Sequence, residues 1–384
     1  MIFLKRWICL AICCLFLPVG CRAEAGTPQV SAKSAVLIDT MTGSVMYEKN
    51  ARQQLPMAST TKIMTAICAL ESGNLDEPFE IHPSAVGVEG SSIYLAHGEV
   101  MTLRDLVYGL MLHSGNDAAV AIAMRVSGSV EAFADLMNQT AAEIGVLDTH
   151  FQNPNGLDDP QHYTTAYDLA QITRYGMKNS EFAKIAGTKE ARIPWQGKEN
   201  GRLLKNHNKM LSLYEGADGV KTGYTKKDGR CLVSSATRNG FQVIAVTLNA
   251  PDDWNDHIKM FNYAFDQYEL YPVLQAGDYL RTVDVAGGIQ PEIGVIAQSS
   301  LSVPAKKGTV PDIMVDMKIP DVLEAPVGFE QPAGQVDVFM RDNLVASVPA
   351  ITSGYVGKQE KKKLLDGWKQ ILQEWMLLCT GGRN

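Results

Sequence analysis

The chain is 384 residues long, with a formal net charge of −7, 46% apolar residues and 20% charged ones. That balance is ordinary for a globular protein, leaves room for two domains or more, and excludes the basic footprint of a nucleic-acid binder. No internal repeat or low-complexity tract stands out.

At the N-terminus, Lys5 and Arg6 precede the apolar run 7–19 and then Ala23-Glu24-Ala25. A positive start, a short apolar core and a small-x-small site read as an export signal over 1–25, cleaved after Ala25; the run is short for a bilayer span. The rival reading is lipidation at Cys21, against which Pro18 stands where that pattern wants a branched aliphatic. Cleavage leaves 359 residues (384 − 25) and removes Cys9, Cys13, Cys14 and Cys21. Cys68, Cys231 and Cys379 then make no disulfide framework. Cys68 and Cys231 read as buried small hydrophobes rather than reactive thiols.

Ser34–Asp39 and 44–48, joined by Thr40-Met41-Thr42-Gly43, are predicted to pair as a hairpin. Residues 59–71 form an apolar helical run closed by Ser72-Gly73. Ser59 at its start lies near unpaired backbone N–H groups and the positive end of the dipole. Lys62, one turn on and on the same face, can reach the Ser59 hydroxyl. A serine attacks only when a base takes its proton, so the two are a candidate nucleophile and base. Helices over Leu103–Leu112, with Thr102 and Asp105 as its cap, and over 117–126 place Ser114-Gly115-Asn116 on a short link. The other Ser-x-Asn, Ser72-Gly73-Asn74, is at the far end of the Ser59 helix, roughly 20 Å away at 1.5 Å per residue.

A short strand over Gly219-Val220-Lys221 runs into Thr222-Gly223. After the turn 226–229, strands 230–237 and Phe241–Leu248 flank Arg238-Asn239-Gly240, a second hairpin. Trp254, Ile258, Phe261, Phe265 and Tyr268 recur at helical spacing and are expected to pack on that sheet. An antiparallel sheet with helices on both faces and an inserted helical subdomain fits these elements. From Ala276 on, alternating segments such as 281–285, Ile313–Lys318 and 336–341 are broken by Gly and Pro clusters, the texture of a small all-β domain. The expected division is 1–25 signal, 26–272 catalytic domain, 273–357 β domain and 358–384 terminal helix.

In that last segment Leu364, Leu365, Trp368, Ile371, Leu372, Trp375, Met376 and Cys379 follow helical spacing, with Lys361, Lys362, Asp366, Lys369, Gln370 and Gln373 opposite. Residues 358–384 carry six cationic and three acidic side chains, a net +3. Such a helix suits a membrane interface; the alternative is packing on its own β domain or a second copy.

The order Ser59-x-x-Lys62, Ser114-x-Asn116, Lys221-Thr222-Gly223, with gaps of 55 (114 − 59) and 107 (221 − 114), resembles the penicillin-recognising serine enzymes. The longer strings Met57 to Ala66, Asp105 to Ala119, His162 to Asp168 and Gly219 to Thr225 look like the low-molecular-mass D-alanyl-D-alanine carboxypeptidases. The resemblance covers most of residues 30–270. It implies a serine β-lactamase/transpeptidase-like α+β fold, a β domain that lifts the catalytic unit off a surface, and the same kind of membrane-associating tail.

The chemistry expected is acyl transfer through an acyl-enzyme on Ser59, with Lys62 as acylation base. Burial and the cation of Lys221 would lower the Lys62 pKa, and Lys221 would also draw an anionic substrate. Ser114 would relay protons to the leaving amine and Asn116 would bond the substrate backbone. Backbone N–H groups of Ser59 and, by family analogy, Tyr224 would hold the oxyanion, while Thr222 and Gly223 line the edge strand on which an extended peptide pairs. Through the family, the substrate is a peptidoglycan stem ending in D-Ala-D-Ala, removal of the last residue limits cross-linking, and penicillin acylates Ser59 as a mimic. Some relatives place an arginine for the substrate carboxylate after the strand ending near Leu248; here 249–253 reads Asn-Ala-Pro-Asp-Asp. Alternatives on the same site are a D,D-endopeptidase, a β-lactamase, or a slowly deacylating penicillin-binding sensor or scaffold. The loop Asn153 to Asp159 offers only aspartates where the commonest β-lactamases need a glutamate.

No cofactor is expected. The seven histidines lack metal-ligand spacing, with His162 and His207 read as structural hydrogen-bonding groups. Asp158 and Asp159 read as a turn.

Overall fold

The structure, a computed structural model, describes residues 26–340, 343–360 and 364–380. The signal expected over 1–25 lies outside the described residues. A five-stranded antiparallel sheet runs in the order Val45–Lys49, Ser34–Asp39, Phe241–Leu248, Gly229–Arg238, Ala217–Thr225. All six residues of Ser34–Asp39 are buried, because both faces of this strand are covered. Its Val36 and Ile38 join a core with the helices between residues 62 and 187. Its Ala35 and Leu37 join a second core with Met260, Phe261 and Ala264 of the helix Asp253–Gln267. The period-2 alternation of a strand thus feeds two cores at once.

The helix Lys62–Glu71 is buried from Lys62 to Leu70. Such a helix, apolar nearly all round, belongs at the centre of the subdomain, packed against Leu103–Leu112, Asn116–Ser127 and Ala166–Met177. Thr102, Ser129, Thr165 and Asn179 cap the helices Leu103–Leu112, Val130–Ile144, Ala166–Met177 and Ser180–Gly187 by accepting first-turn backbone N–H bonds. The site strand is longer than its sequence suggests, Ala217–Thr225. Gly219 and Gly223, poor strand formers, hide its extent.

The chain passes from Asp253–Gln267 directly into Tyr268–Leu274, which pairs with Leu301–Lys306. Beyond it a six-stranded sheet takes the order Ile313–Lys318, Pro332–Met340, Asn343–Thr352, Glu292–Ala297, Tyr279–Ala286, Val322–Glu324. Val283, Val295, Val327 and Ala350 are among its core residues. The fold is therefore α+β with a C-terminal all-β part, as expected. Residues Leu364–Thr380 form a last helix, with Trp368, Ile371, Leu372, Trp375 and Met376 exposed. Among the described residues no helix is long and apolar enough to cross a membrane.

Candidate active site

The turn that carries Ser59 is built before the helix begins. Ala58–Thr61 is a 3-10 turn and the α-helix starts at Lys62, not at Ser59. Ala58 adopts φ 47°, a left-handed conformation that an L-residue takes only when its surroundings impose it. Two side-chain hydrogen bonds within the turn reinforce it: Thr60 Oγ1 donates to Met57 O at 2.6 Å, and Thr61 Oγ1 donates to Ala58 O at 2.8 Å. Gly156 presses on it from the loop: a Cβ there would lie 2.0 Å from Ala58 O.

Lys62 is fully buried, yet its Nζ has three oxygens in reach: Ser59 Oγ at 2.8 Å, Asn116 Oδ1 at 2.7 Å and the Asn155 carbonyl at 2.6 Å. Burial, and secondarily the Lys221 charge, hold its pKa well below the ordinary lysine value, against a smaller opposing pull from Asp117. A neutral amine has two N–H bonds and one lone pair. Asn116 Oδ1 and Asn155 O can only accept, so they take both hydrogens and the lone pair is left facing the Ser59 hydroxyl. The Asn116 amide cannot be reversed in this frame, because its Nδ2 donates to Glu89 O at 2.6 Å.

The structure brings together the residues predicted from the three motifs. Ser114 is buried with φ 61°, the turn that lets one helix end and the next begin at Asn116. Both ends of the Asn116 amide are engaged, with Lys62 and with Glu89. Lys221 is buried, and burial pushes its pKa down to about 7; its Nζ donates to Thr222 O at 2.9 Å. Gly223 is the point of closest approach, where a Cβ would lie 3.0 Å from Ser59 N and Thr60 N. Tyr224 is exposed on the same strand. A cavity of about 390 Å³ opens over these residues, lined by Ser59, Ser91, Ser114, Thr222, Gly223 and Tyr224. His207, Arg230, Asp253 and Trp254 complete its wall.

Other groups had no motif to announce them. Asp117 ties down the loop over the site, accepting from Ser92 Oγ at 2.6 Å and from the backbone N–H of Ile93 and Leu95 at 3.0 Å. Its only signal was its place after Ser-x-Asn. The Asn155 carbonyl is backbone and carries no signal at all. His162 does what its reading implied: Gln152 N–H donates to Nδ1 at 3.0 Å, which leaves the proton on Nε2, 2.7 Å from Thr61 Oγ1. Burial lowers its pKa to about 4. Among the described residues no group of three or more His, Cys, Asp or Glu could hold a metal ion.

A buried lysine aimed at a serine, on a helix packed under the edge of an antiparallel sheet, defines a serine acyl-transfer enzyme of the β-lactamase/transpeptidase-like fold. Residues 22–252 match the family described as D-alanyl-D-alanine carboxypeptidase, and 268–358 match the one described as penicillin-binding protein 5, C-terminal domain. The D-alanyl-D-alanine carboxypeptidase DacF of Bacillus subtilis is 35% identical over 355 residues, 90% of each chain. The structure of penicillin binding protein 5 from Haemophilus influenzae, 28% identical, superposes with a TM-score of 0.65 over 87% of this chain and 99% of that one. A Streptomyces K15 DD-transpeptidase structure, 36% identical, gives 0.60 over 62% and 100%. The chain belongs to the D-alanyl-D-alanine carboxypeptidase family and is a serine peptidase; penicillin binding and acylation are typical of that family.

Proposed function

We propose that this carboxypeptidase works through an acyl-enzyme on Ser59, with Lys62 as the base that takes the hydroxyl proton. The observation that carries the reading is the allocation of the Lys62 amine, whose two N–H bonds are claimed by Asn116 and Asn155 so that its lone pair faces Ser59 Oγ at 2.8 Å. Ser59 Oγ attacks the carbonyl of the last peptide bond, the terminal D-alanine leaves with a proton relayed through Ser114, and water hydrolyses the ester. Backbone N–H groups of Ser59 and Tyr224 hold the oxyanion, and the edge strand at Thr222 and Gly223 pairs with the extended substrate. Asn116 orients Lys62 in this scheme, and any bond to the substrate backbone needs its Nδ2 to leave Glu89 O. The substrate is a peptidoglycan stem peptide, and a β-lactam occupies the same site as a mimic.

The division proposed is a signal over 1–25, a catalytic domain over 26–272, a β domain over 273–357 and a membrane-associating helix over 358–384, the enzyme acting outside the cytoplasm. The matches at 22–252 and 268–358 support two folded units, and the exposed Trp368 and Trp375 with the net +3 of the tail support the interfacial helix. Released D-alanine from a Lys-D-Ala-D-Ala peptide is the test. Release that vanishes in Ser59→Ala and is absent with an L-Ala-L-Ala peptide is expected; release that survives in Ser59→Ala refutes the nucleophile. Co-sedimentation with anionic vesicles should be lost on deleting 358–384, and retention refutes the anchor.

A further inference from the structure

A carboxypeptidase needs a partner for the C-terminal carboxylate of its substrate, and 249–253 holds no arginine. Lys221 is poorly placed to be a direct partner: it is 1% exposed, and its Nζ already donates to Thr222 O. The cavity that holds Ser59, Thr222 and Tyr224 is also walled by Arg230, Asp253 and Trp254. Arg230 stands directly opposite Tyr224 in the pairing of Ala217–Thr225 with Gly229–Arg238. Directly opposed residues share a face, with Cβ atoms about 5 Å apart, and alternate residues share it as well. Arg230 therefore leaves the sheet on the side of Tyr224 and Thr222. A peptide whose scissile carbonyl is at Ser59 extends only one residue further, about 3.5 Å, so its carboxylate ends inside this cavity.

The arginine is built to receive it. Its Nε and Nη2 both meet a single oxygen, Asp253 Oδ1, at 2.9 Å, and that oxygen also accepts from Trp254 N–H at 3.0 Å. Its guanidinium carbon lies 5.6 Å from the Trp254 ring centre. The Asp253 side chain is 4% exposed and the Arg230 side chain 43%, so the anchor is buried and the fork is open. Of the five N–H bonds of a guanidinium, two go to Asp253. Those on Nη1 and the second on Nη2 remain for another carboxylate, in the planar geometry that suits one.

We infer that Arg230 binds the C-terminal carboxylate of the substrate, reaching it from the neighbouring strand instead of from the segment after Leu248, with Asp253 and Trp254 as positioning residues. The inference rests on the proposed carboxypeptidase reading. Its test compares kcat/KM for a Lys-D-Ala-D-Ala peptide and for the same peptide with a C-terminal carboxamide. In Arg230→Gln the acid-to-amide ratio should fall by about 10- to 100-fold, the span of one lost hydrogen bond to a charged group, with Arg230→Lys retaining part of the preference. Arg230→Gln strands the buried Asp253 carboxylate, so Arg230→Gln with Asp253→Asn is the partner variant and should show the same fall. A ratio unchanged in both variants, or both substrates failing together, overturns the inference. A parallel arm measures acylation of Ser59 by benzylpenicillin and by its methyl ester, where the same ratio should fall. If the unaltered protein releases neither D-alanine from the acid peptide nor D-alaninamide from the amide peptide, the carboxypeptidase reading fails, and the penicillin ratio still decides the role of Arg230.

Discussion

The contact between the loop at Asn155 and the turn that carries Ser59 can be broken by one methyl group. Gly156 has φ 83°, and a Cβ there would lie 2.0 Å from Ala58 O and 2.9 Å from Thr61 Oγ1. Real Cβ atoms stay beyond 3.0 Å, so Gly156→Ala must move the loop or the turn by on the order of 1 Å, on top of about 1–2 kcal/mol for the left-handed backbone. Moving the Asn155 carbonyl by that much stretches its 2.6 Å contact with Lys62 Nζ to roughly 3.6 Å, beyond a hydrogen bond. Lys62 then has only one fixed acceptor, and its lone pair is no longer held toward Ser59. A misplacement of about 1 Å at a reacting group costs on the order of 100-fold. The second-order rate of acylation by a fluorescent penicillin reads this directly. Gly128→Ala is the control: Gly128 has φ 78°, ends the helix Asn116–Ser127, and a Cβ there meets nothing within 4 Å. It should lose comparable backbone stability and acylate normally. If Gly156→Ala acylates as fast as Gly128→Ala, the loop does not orient Lys62 and the reasoning is wrong.

Three further outcomes are expected. Acylation should rise as the depressed Lys62 gives up its proton, well below the pH of about 10 at which an ordinary lysine titrates, because burial and then the Lys221 charge disfavour its ammonium form; a rate still climbing toward pH 10 refutes the assignment. His257 is fully buried with its pKa lowered by burial to about 3 from 6.5. Its neutral form stabilises the fold above pH 6.5, and that contribution is lost as pH falls toward 3. At pH 5 the loss is about 2 kcal/mol, so urea unfolding at pH 5 and 7.5 should differ by more in the parent than in His257→Asn. Glu99 pairs with Arg202 at 3.0 Å, both buried, and accepts from Ala96 N–H. Arg202→Met leaves that carboxylate uncompensated and should lower stability by about 3–5 kcal/mol, read as a lower melting temperature; an unchanged melting temperature counts against the pair.

Which side chains the fold would gather around Ser59 was legible in the chain itself, because Lys62, Ser114, Asn116 and Lys221-Thr222-Gly223 stand out by type and spacing. Helix and strand types followed from periodicity and caps. What stayed hidden belongs to the backbone and to register. Asn155 acts through its carbonyl, which any residue has. Asn116 looked like a group for the substrate, yet it is engaged at both ends, since Glu89 comes to it from 27 residues away. Arg230 was simply the first residue of a predicted strand, and only the pairing of Tyr224 with it reveals where it points. The 3-10 start at Ala58 was masked by an apolar run that looks helical throughout.

The site is distributed along the chain. Ser59 and Gly223 touch across 164 residues (223 − 59), and the sheet between them places the N-terminal strand Ser34–Asp39 beside Phe241–Leu248. No fragment that lacks either end of the catalytic unit can hold Lys62 against Ser59 and the edge strand against both. Topologies dominated by such distant pairings gain them late in folding. Covalent capture of Ser59 by a tagged penicillin is therefore a count of completed molecules. In a refolding or translation time course, the fraction labelled should lag the appearance of helical signal and coincide with protection of the Ser34–Asp39 amides from exchange.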